Sequence, residues 1–210
     1  MLKHLACTAG ALLLLVPGLF AQDNKWSISP FDSFANFSVK HLVISKATGK
    51  IGGMKGTVIY DPKDPSKDSV EATLDVKTFN SGVDKRDDQV KTDYFEVAKY
   101  PTITFKSTKV TASSDGGLMV TGNLTIKGTT KQVVLDCDPP SPPVKDAQGR
   151  TKIGITATTK ISRKDFGVVG DALDGAVEAG GIIVSDQVSI ELDIELMPPS
   201  QASIVGPAKH

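Results

Sequence analysis

Hydrophobic and polar residues alternate strictly along several parts of this chain. In VSIELDIEL, residues 188–196, aliphatic side chains occupy every second position from Val188 to Leu196, and Ser189, Glu191 and Asp193 lie between them. A period of two places the aliphatic residues on one face of an extended strand and the polar residues on the other. The segment is therefore predicted to be a β-strand with one buried face and one solvated face.

The same alternation recurs along most of the chain. It is found in ANFSVKH (35–41), SVEATLDVKTF (69–79), PTITFKSTKV (101–110), LMVTGNLTIKG (118–128) and IGITATTKI (153–161), and shorter strands fit at 25–29, 56–60, 131–136 and 181–185. Turn-forming clusters such as DPKDPSKD and SSDGG separate these runs. Alternating strands of this number predict an all-β domain of antiparallel sheet, either a closed barrel or a sandwich.

Only two segments favour helix. The first is 87–98, inside KRDDQVKTDYFEVAKYPTITF, and the second and weaker one is 171–179. Asp87 and Asp88 suit the start of a helix, where we expect them to be solvated and paired with Arg86 or Lys91. Adjacent carboxylates on a helix point about 100° apart and cannot flank one bond, so a catalytic pair is disfavoured.

The chain divides into a leader, one domain and a tail. Residues 1–21 combine Lys3, an apolar stretch and a small residue, Ala21, which is typical of a cleaved signal peptide. Export would place the protein in the periplasm or the extracellular medium. The apolar stretch is short for a membrane span, which needs about 20 residues. Residues 22–197 are expected to form one domain, and the proline-rich residues 198–210 a flexible tail.

Charge and rare residues exclude several functions. Without Lys3 the chain carries 23 basic and 24 acidic residues, so no global field favours nucleic acid. Past residue 21 the sequence holds one cysteine, Cys137, between two aspartates that would raise the thiol pKa. No His or Cys cluster suggests a metal or another cofactor. His41, the histidine available to a catalytic site within the domain, has no evident partners.

Four ordered motifs resemble the YceI-like family of exported, polyisoprenoid-binding proteins. They are FANFSVKHLVISKATGKIGGMKGTVIYD, NSGVDKRDDQVKTDYFEVAKYPTITFKST, VTGNLTIKGTTKQVVL, and ISRKDFG followed by GGIIVSDQVSIELDIEL. The match runs from Trp26 to about Leu196. Two departures are Asp32-Ser33, where the family often has His-Ser, and the lack of an aromatic residue soon after Asp165-Phe166-Gly167.

The resemblance implies an extended, eight-stranded antiparallel lipocalin-like barrel with one or two short helices. It implies a non-enzymatic carrier or store of a long-chain isoprenoid or fatty amphiphile, such as a polyisoprenoid quinone. Arg86 and Asp87 would be an ion pair that starts a short helix beside the barrel. From the apolar strand faces and this likeness, the predicted cavity-lining residues are Phe37, Val39, His41, Leu74, Val76, Phe95, Ile103, Phe105, Leu124, Ile126, Ile155, Ile161, Phe166, Ile190 and Ile194.

Two other functions stay open from the sequence. One is a barrel enzyme that uses His41 with carboxylates at the barrel mouth. The other is a barrel with a filled core that acts only through protein contacts, because inward phenylalanines can either fill a core or line a cavity. A homodimer is also possible. No stable membrane span and no nucleic-acid partner is expected.

Overall fold

The computed structural model describes residues 24–42, 44–170, 174 and 183–202. Its eleven strands are β1 Lys25–Ile28, β2 Phe34–His41, β3 Ser45–Ile51, β4 Lys55–Ile59, β5 Ser69–Asp75, β6 Thr102–Ala112, β7 Leu118–Ile126, β8 Thr129–Cys137, β9 Val144–Lys145, β10 Thr151–Ser162 and β11 Val184–Met197. Helix α1 spans Asp84–Gln89 and runs into a π-helical turn, Val90–Tyr94, and helix α2 spans Pro199–Ala202. Short 3-10 turns lie at Pro65–Lys67, Val76–Thr78 and Lys164–Phe166.

The strands form an antiparallel barrel with eight positions in its wall. β1 and β2 share one position and β3 and β4 the next, because β1 pairs with β4 and β2 pairs with β3. β5, β6, β7, β8, β10 and β11 complete the wall, and β11 closes it by pairing with β10 on one side and with β2 and β1 on the other. The predicted eight-stranded antiparallel barrel with few short helices is confirmed.

The two ends of the barrel differ. At one end, here called the α1 end, β2, β5, β7 and β10 finish and β3, β6, β8 and β11 begin; α1 belongs to the connection from β5 to β6 at this end. At the opposite end, called the Trp26 end, Trp26 packs in a buried cluster with Ile153 and Leu196. A second buried cluster, which includes Val110, Val120 and Cys137, fills the interior near the far ends of β6 and β8.

β5 is shorter than the sequence pattern predicts. The alternation from Val70 continues to Val76, but the strand ends at Asp75 and Val76–Thr78 form a 3-10 turn. The Asp75 carboxylate accepts a hydrogen bond from the Lys77 backbone N–H at 3.0 Å. Such a local side-chain bond offers the backbone an alternative to the strand ladder, so Val76 is not a strand residue.

The first predicted helix begins earlier and ends earlier than 87–98. It starts at Asp84, after Gly82 with φ 77°, and the π-helical turn stops at Tyr94. Glu96 adopts a left-handed φ of 52°, which a continuing helix does not accommodate. The second predicted helix, 171–179, lies outside the described residues except for Asp174, as do the leader, residues 1–21, and residues 203–210 of the predicted tail. Among the described residues, no helix is long and apolar enough to cross a membrane.

Candidate functional site

An apolar cavity of about 220 Å³ lies inside the barrel and extends toward the α1 end. Of the 29 described residues that line it, 26 carry no side-chain nitrogen or oxygen; Tyr94, Thr159 and Arg163 are the others. The inward faces of the strands supply most of the wall, because alternate side chains of each strand point to the same side. Such a cavity can hold an apolar group, and it presents almost no polar chemistry to it.

Twelve of the fifteen residues predicted to line a cavity do line this one. They are Phe37, Val39, Leu74, Phe95, Ile103, Phe105, Leu124, Ile126, Ile161, Phe166, Ile190 and Ile194. Whether they contact a ligand stays a prediction.

The other three predicted residues are not among those that line the cavity. His41 is the last residue of β2, half-buried at the barrel rim, and it pairs with Ser45 and Val184. Val76 is only 1% exposed and packs in the core from its 3-10 turn. Ile155 packs against both buried clusters on the filled side of the interior. None of these three residues lines the present cavity, and whether any of them contacts a ligand stays a prediction.

The sequence reasoning did not name seventeen further lining residues. Five were accessible from strand parity, because they share a strand face with residues that were named: Ala35, Val70, Ala72, Val188 and Leu192. Others, such as Met54, Tyr94 and Val168, lie in connections between strands, where no period marks the inward side. Their contribution depends on tertiary packing.

Three phenylalanines join the barrel wall to the segment that follows α1. The Phe37 and Phe79 rings stack with centroids 5.0 Å apart, and Phe79 meets Phe95 at 6.1 Å in a tilted arrangement. Gly49 on β3 makes room for this stack, since a Cβ there would lie 2.5 Å from the Phe37 ring and 2.5 Å from the Asn80 carbonyl oxygen. Phe95, with Val90 and Tyr94, thereby lines the cavity from the α1 side.

A hydrogen-bond network around Ser81 fixes the start of α1. The Asp87 carboxylate, 4% exposed, accepts from the Ser81 backbone N–H at 2.9 Å and also from the Ser81 hydroxyl. Arg86 donates to the Ser81 hydroxyl oxygen at 2.7 Å and to the Ser81 carbonyl at 2.9 Å. The predicted Arg86–Asp87 ion pair is thus wrong: both side chains converge on Ser81. Asp87 is also buried rather than solvated, whereas Asp88 is exposed.

Arg163 brings a charge to the cavity edge but uses it within the protein. Its guanidinium donates to the carbonyls of Val168 (2.8 Å), Val184 (3.0 Å) and Ser185 (3.1 Å) and to both oxygens of Asp174. The hydrogen bonds that the Asp174 carboxylate accepts from Arg163 and Lys164 hold the pKa of Asp174 far below its usual range. A guanidinium has five N–H groups, and the hydrogen bonds that Arg163 donates use all of them. Arg163 therefore stabilises the connection that follows β10 and has no N–H group left to bind a ligand.

β8 and β10 pair over a short distance only. The ladder between them holds Ala157 opposite Cys137 and Thr158 opposite Asp136. Further toward the α1 end, the Thr159 hydroxyl donates to the Val134 carbonyl at 2.8 Å. The turn that carries Phe166, which is 2% exposed, contacts β8 beyond this point. Phe166 therefore contributes to the cavity wall where the two strands separate.

A cluster of charged residues lies near the Trp26 end, outside the cavity. The buried Lys152 ammonium pairs with Glu195 and lies 3.8 Å from Asp32. Ser33 ties this region to β11, since its hydroxyl accepts from the Glu195 backbone N–H at 2.9 Å. Burial raises the pKa of Glu195. Burial acts in the same sense on Asp32, but hydrogen bonds from Ser29 and Glu195 and the Lys152 charge outweigh it and lower the Asp32 pKa.

A closed antiparallel barrel around an apolar cavity is the architecture of lipocalin-like binding proteins. A family model described as the YceI-like domain matches residues 26–196. The chain therefore belongs to the YceI-like family.

Relatives and solved structures agree with this assignment. The chain is 32% identical over 180 residues to a UPF0312 protein of Photorhabdus laumondii, covering 85% of this chain and 93% of the relative. It is 33% identical over 168 residues to Protein YceI of Salmonella newport, covering 80% and 87%. The crystal structure of Burkholderia cenocepacia BcnA is similar with a TM-score of 0.67 at 25% identity, covering 80% of this chain and 98% of BcnA.

A polyisoprenoid binding domain from Saccharophagus degradans, implicated in plant cell wall breakdown, has a TM-score of 0.62 at 16% identity. That likeness covers 83% of this chain and 98% of the domain. At this identity it bears on the fold alone.

Proposed function

We propose that the protein binds a long apolar chain, such as the tail of a polyisoprenoid quinone or a related amphiphile, inside its barrel. The observation that carries this proposal is the cavity, in which 26 of 29 lining residues lack a side-chain nitrogen or oxygen. Each CH₂ group moved from water into such a site contributes about 0.8 kcal/mol. Affinity then grows with chain length and needs no specific polar contact, so selectivity among apolar chains should be loose.

The cavity volume constrains how a long chain binds. About 220 Å³ is below the roughly 300–1,000 Å³ of typical small-molecule pockets. A polyisoprenoid must therefore widen the cavity or occupy it with part of its length. The stack of Phe37, Phe79 and Phe95 is the part of the wall we expect to move, because Phe79 and Phe95 lie outside the strand ladders.

Membership in the YceI-like family supports a binding protein rather than an enzyme, and the fold shared with the Saccharophagus degradans polyisoprenoid binding domain is consistent with this ligand class. The enzymatic alternative needs His41 beside carboxylates at the barrel mouth; His41 lies at the rim, but among the described residues no ion pair or hydrogen bond joins its side chain to a carboxylate. The filled-core alternative accounts for the cluster around Val120 but not for the cavity beside it. We further propose export to the periplasm or the medium, on the basis of the leader-like residues 1–21.

Organic extraction of the purified protein, followed by mass spectrometry, tests the proposal. We expect an apolar compound at near-stoichiometric amount, or uptake of an added isoprenoid quinone by protein that was first delipidated. A clean extract together with no uptake would contradict lipid binding and favour the filled-core alternative.

A further inference from the structure

The positive charge of the chain is unevenly distributed. Between Asp32 and Asp61 there is no acidic residue, while the same stretch carries Lys40, Lys46, Lys50 and Lys55. The whole chain has a formal net charge of zero, so the hairpin of β2 and β3 is locally positive in an otherwise balanced protein. The acidic residues that balance these lysines therefore lie outside residues 33–60.

Two of these lysines stand directly opposite each other. Lys40 on β2 is the cross-strand partner of Lys46 on β3, and both are exposed. Like charges in directly opposite positions destabilise an antiparallel pair. Within the described part of the chain, neither lysine takes part in an ion pair. The hairpin therefore keeps an unfavourable arrangement that folding alone does not require.

An exposed apolar residue lies between the two lysines. Ile44, in the connection from β2 to β3, is 86% exposed. No other large hydrophobic residue among the described residues is as exposed. The nearest comparison is Val144 at 57%, which lies near the Trp26 end. An apolar tip flanked by lysines is the arrangement with which proteins bind the surface of an anionic bilayer.

Leu42 and Ile44, in the connection from β2 to β3 and here called the hairpin tip, lie at the α1 end of the barrel, toward which the cavity extends. Val39, two residues from His41, lines the cavity, and so does Val184, which pairs with His41. The Leu42 backbone N–H donates to the Ile183 carbonyl at 2.8 Å, which holds the hairpin end against β11. A surface bound to Ile44 would thus lie beside the α1 end of the cavity.

We propose that the β2–β3 hairpin tip docks the protein on anionic phospholipid bilayers, with Ile44 inserted at the boundary of headgroups and acyl chains and Lys40 and Lys46 against phosphates. Docking there would bring the α1 end of the cavity to the membrane that supplies or receives an apolar chain. The transfer role rests on the proposed function, but vesicle binding itself does not. An acidic protein or a nucleic acid would engage the lysines without needing Ile44.

Vesicle co-sedimentation of the purified protein tests this proposal, with phosphatidylglycerol vesicles compared with phosphatidylcholine vesicles at low and high salt. We expect binding to phosphatidylglycerol that weakens at high salt. The double variant Lys40→Gln/Lys46→Gln should lose roughly 30-fold in partitioning, at about fivefold for each basic residue. Ile44→Ser should lose roughly tenfold. The control Val144→Ser/Lys145→Gln makes matching changes near the Trp26 end and should bind normally.

A melting curve for each variant separates docking from folding. Lys46→Gln relieves the like-charge pair, so we expect a higher Tm together with weaker vesicle binding, which a purely structural lysine would not produce. Equal binding to both vesicle types, an equal loss in the Val144→Ser/Lys145→Gln control, or competition by polyglutamate that is independent of Ile44 would each overturn the proposal. Vesicle binding by protein that takes up no apolar chain would instead reject the proposed function and leave docking intact.

Discussion

Asp68 shows how a single buried carboxyl oxygen can give a pH dependence to stability. Its Oδ1 accepts from the Asp61 backbone N–H at 2.7 Å, whereas its buried Oδ2 has no hydrogen-bond partner among the described residues. Burial, together with the charges of Asp61 and Asp64, raises the Asp68 pKa from 3.8 to about 6. The folded protein therefore holds this proton more tightly than the unfolded chain does.

The sign of the effect follows from linkage. Between pH values of about 4 and 6 the folded state binds more protons at Asp68, so this residue makes stability fall as pH rises. We expect Asp68→Asn, which can keep the acceptor for Asp61, to melt higher than the parent at neutral pH and to match it near pH 4. Melting curves across this range are the measurement.

Asp64→Asn is the matched control in the same loop. Its carboxylate accepts hydrogen bonds from Ser66 and pairs with Lys67, which lowers its pKa, so its contribution is present at neutral pH and is lost on acidification. That variant should melt lower than the parent at neutral pH. If the two variants shifted Tm in the same direction, the assigned environment of Asp68 would be wrong.

Cys137 is expected to be chemically inert in the folded protein. Burial, then the charges of Asp136 and Asp138, raises the pKa of its thiol to about 12, which leaves almost no reactive thiolate at neutral pH. Iodoacetamide should label Cys137 only in denaturant, at the rate of global unfolding. Val144→Cys, which adds a thiol at an exposed position, should be labelled at once. Comparable labelling of both thiols without denaturant would contradict the buried placement.

At the scale of elements, the α1 segment depends on a residue that sequence reasoning placed at the surface. Asp87 is buried against Ser81, whereas its neighbour Asp88 is exposed. Asp87→Ala leaves the Ser81 backbone N–H without its partner, so we expect a loss of about 1–3 kcal/mol in the free energy of unfolding. Asp88→Ala should stay within about 0.5 kcal/mol. Denaturant unfolding of both variants compares them, and equal losses would reject this role for Asp87.

How far the sequence predicts this structure depends on how local each signal is. The alternation of hydrophobic and polar residues predicts the strands and their inward faces, because the two-residue period is a property of the extended backbone. Phe37, Leu74 and Ile190 were predicted in this way, and all three line the cavity. The same pattern wrongly predicts Val76 as a strand residue, because the Asp75 side chain accepts a local backbone hydrogen bond that competes with strand pairing. Ser81 could not be found as the partner of Asp87 and Arg86, since no period marks which polar residue of a connection turns inward.

At the scale of the whole molecule, barrel closure leaves part of the interior filled and part open. The cluster of Val110, Val120, Cys137 and Ala157 is closely buried, while the cavity extends toward the α1 end. The same inward alternation supplies both parts, so the sequence pattern alone does not separate a core from a binding site. Whether the open part takes a ligand must be tested by changing its wall.

Leu74→Trp is the test of the cavity. Leu74 lies on β5 with its side chain 7% exposed and lines the cavity, so a larger side chain there occupies the space proposed for the lipid. We expect bound lipid, measured by mass spectrometry, to fall or to shift to shorter chains. The loss of stability should be smaller than the roughly 1–3 kcal/mol that overpacking of a closed core entails, because the side chain has room.

Thr73→Trp, one residue earlier and on the opposite face of β5, is the matched control and should keep its lipid. Ile126→Trp and Ile190→Trp repeat the test on β7 and β11, because a flexible tail can bypass a single obstruction. A large loss of stability for all three inward variants, with no lipid in the parent protein, would show that the interior behaves as a filled core. Loss of lipid in the inward variants alone, with melting curves close to that of the parent, would place the apolar chain within this wall.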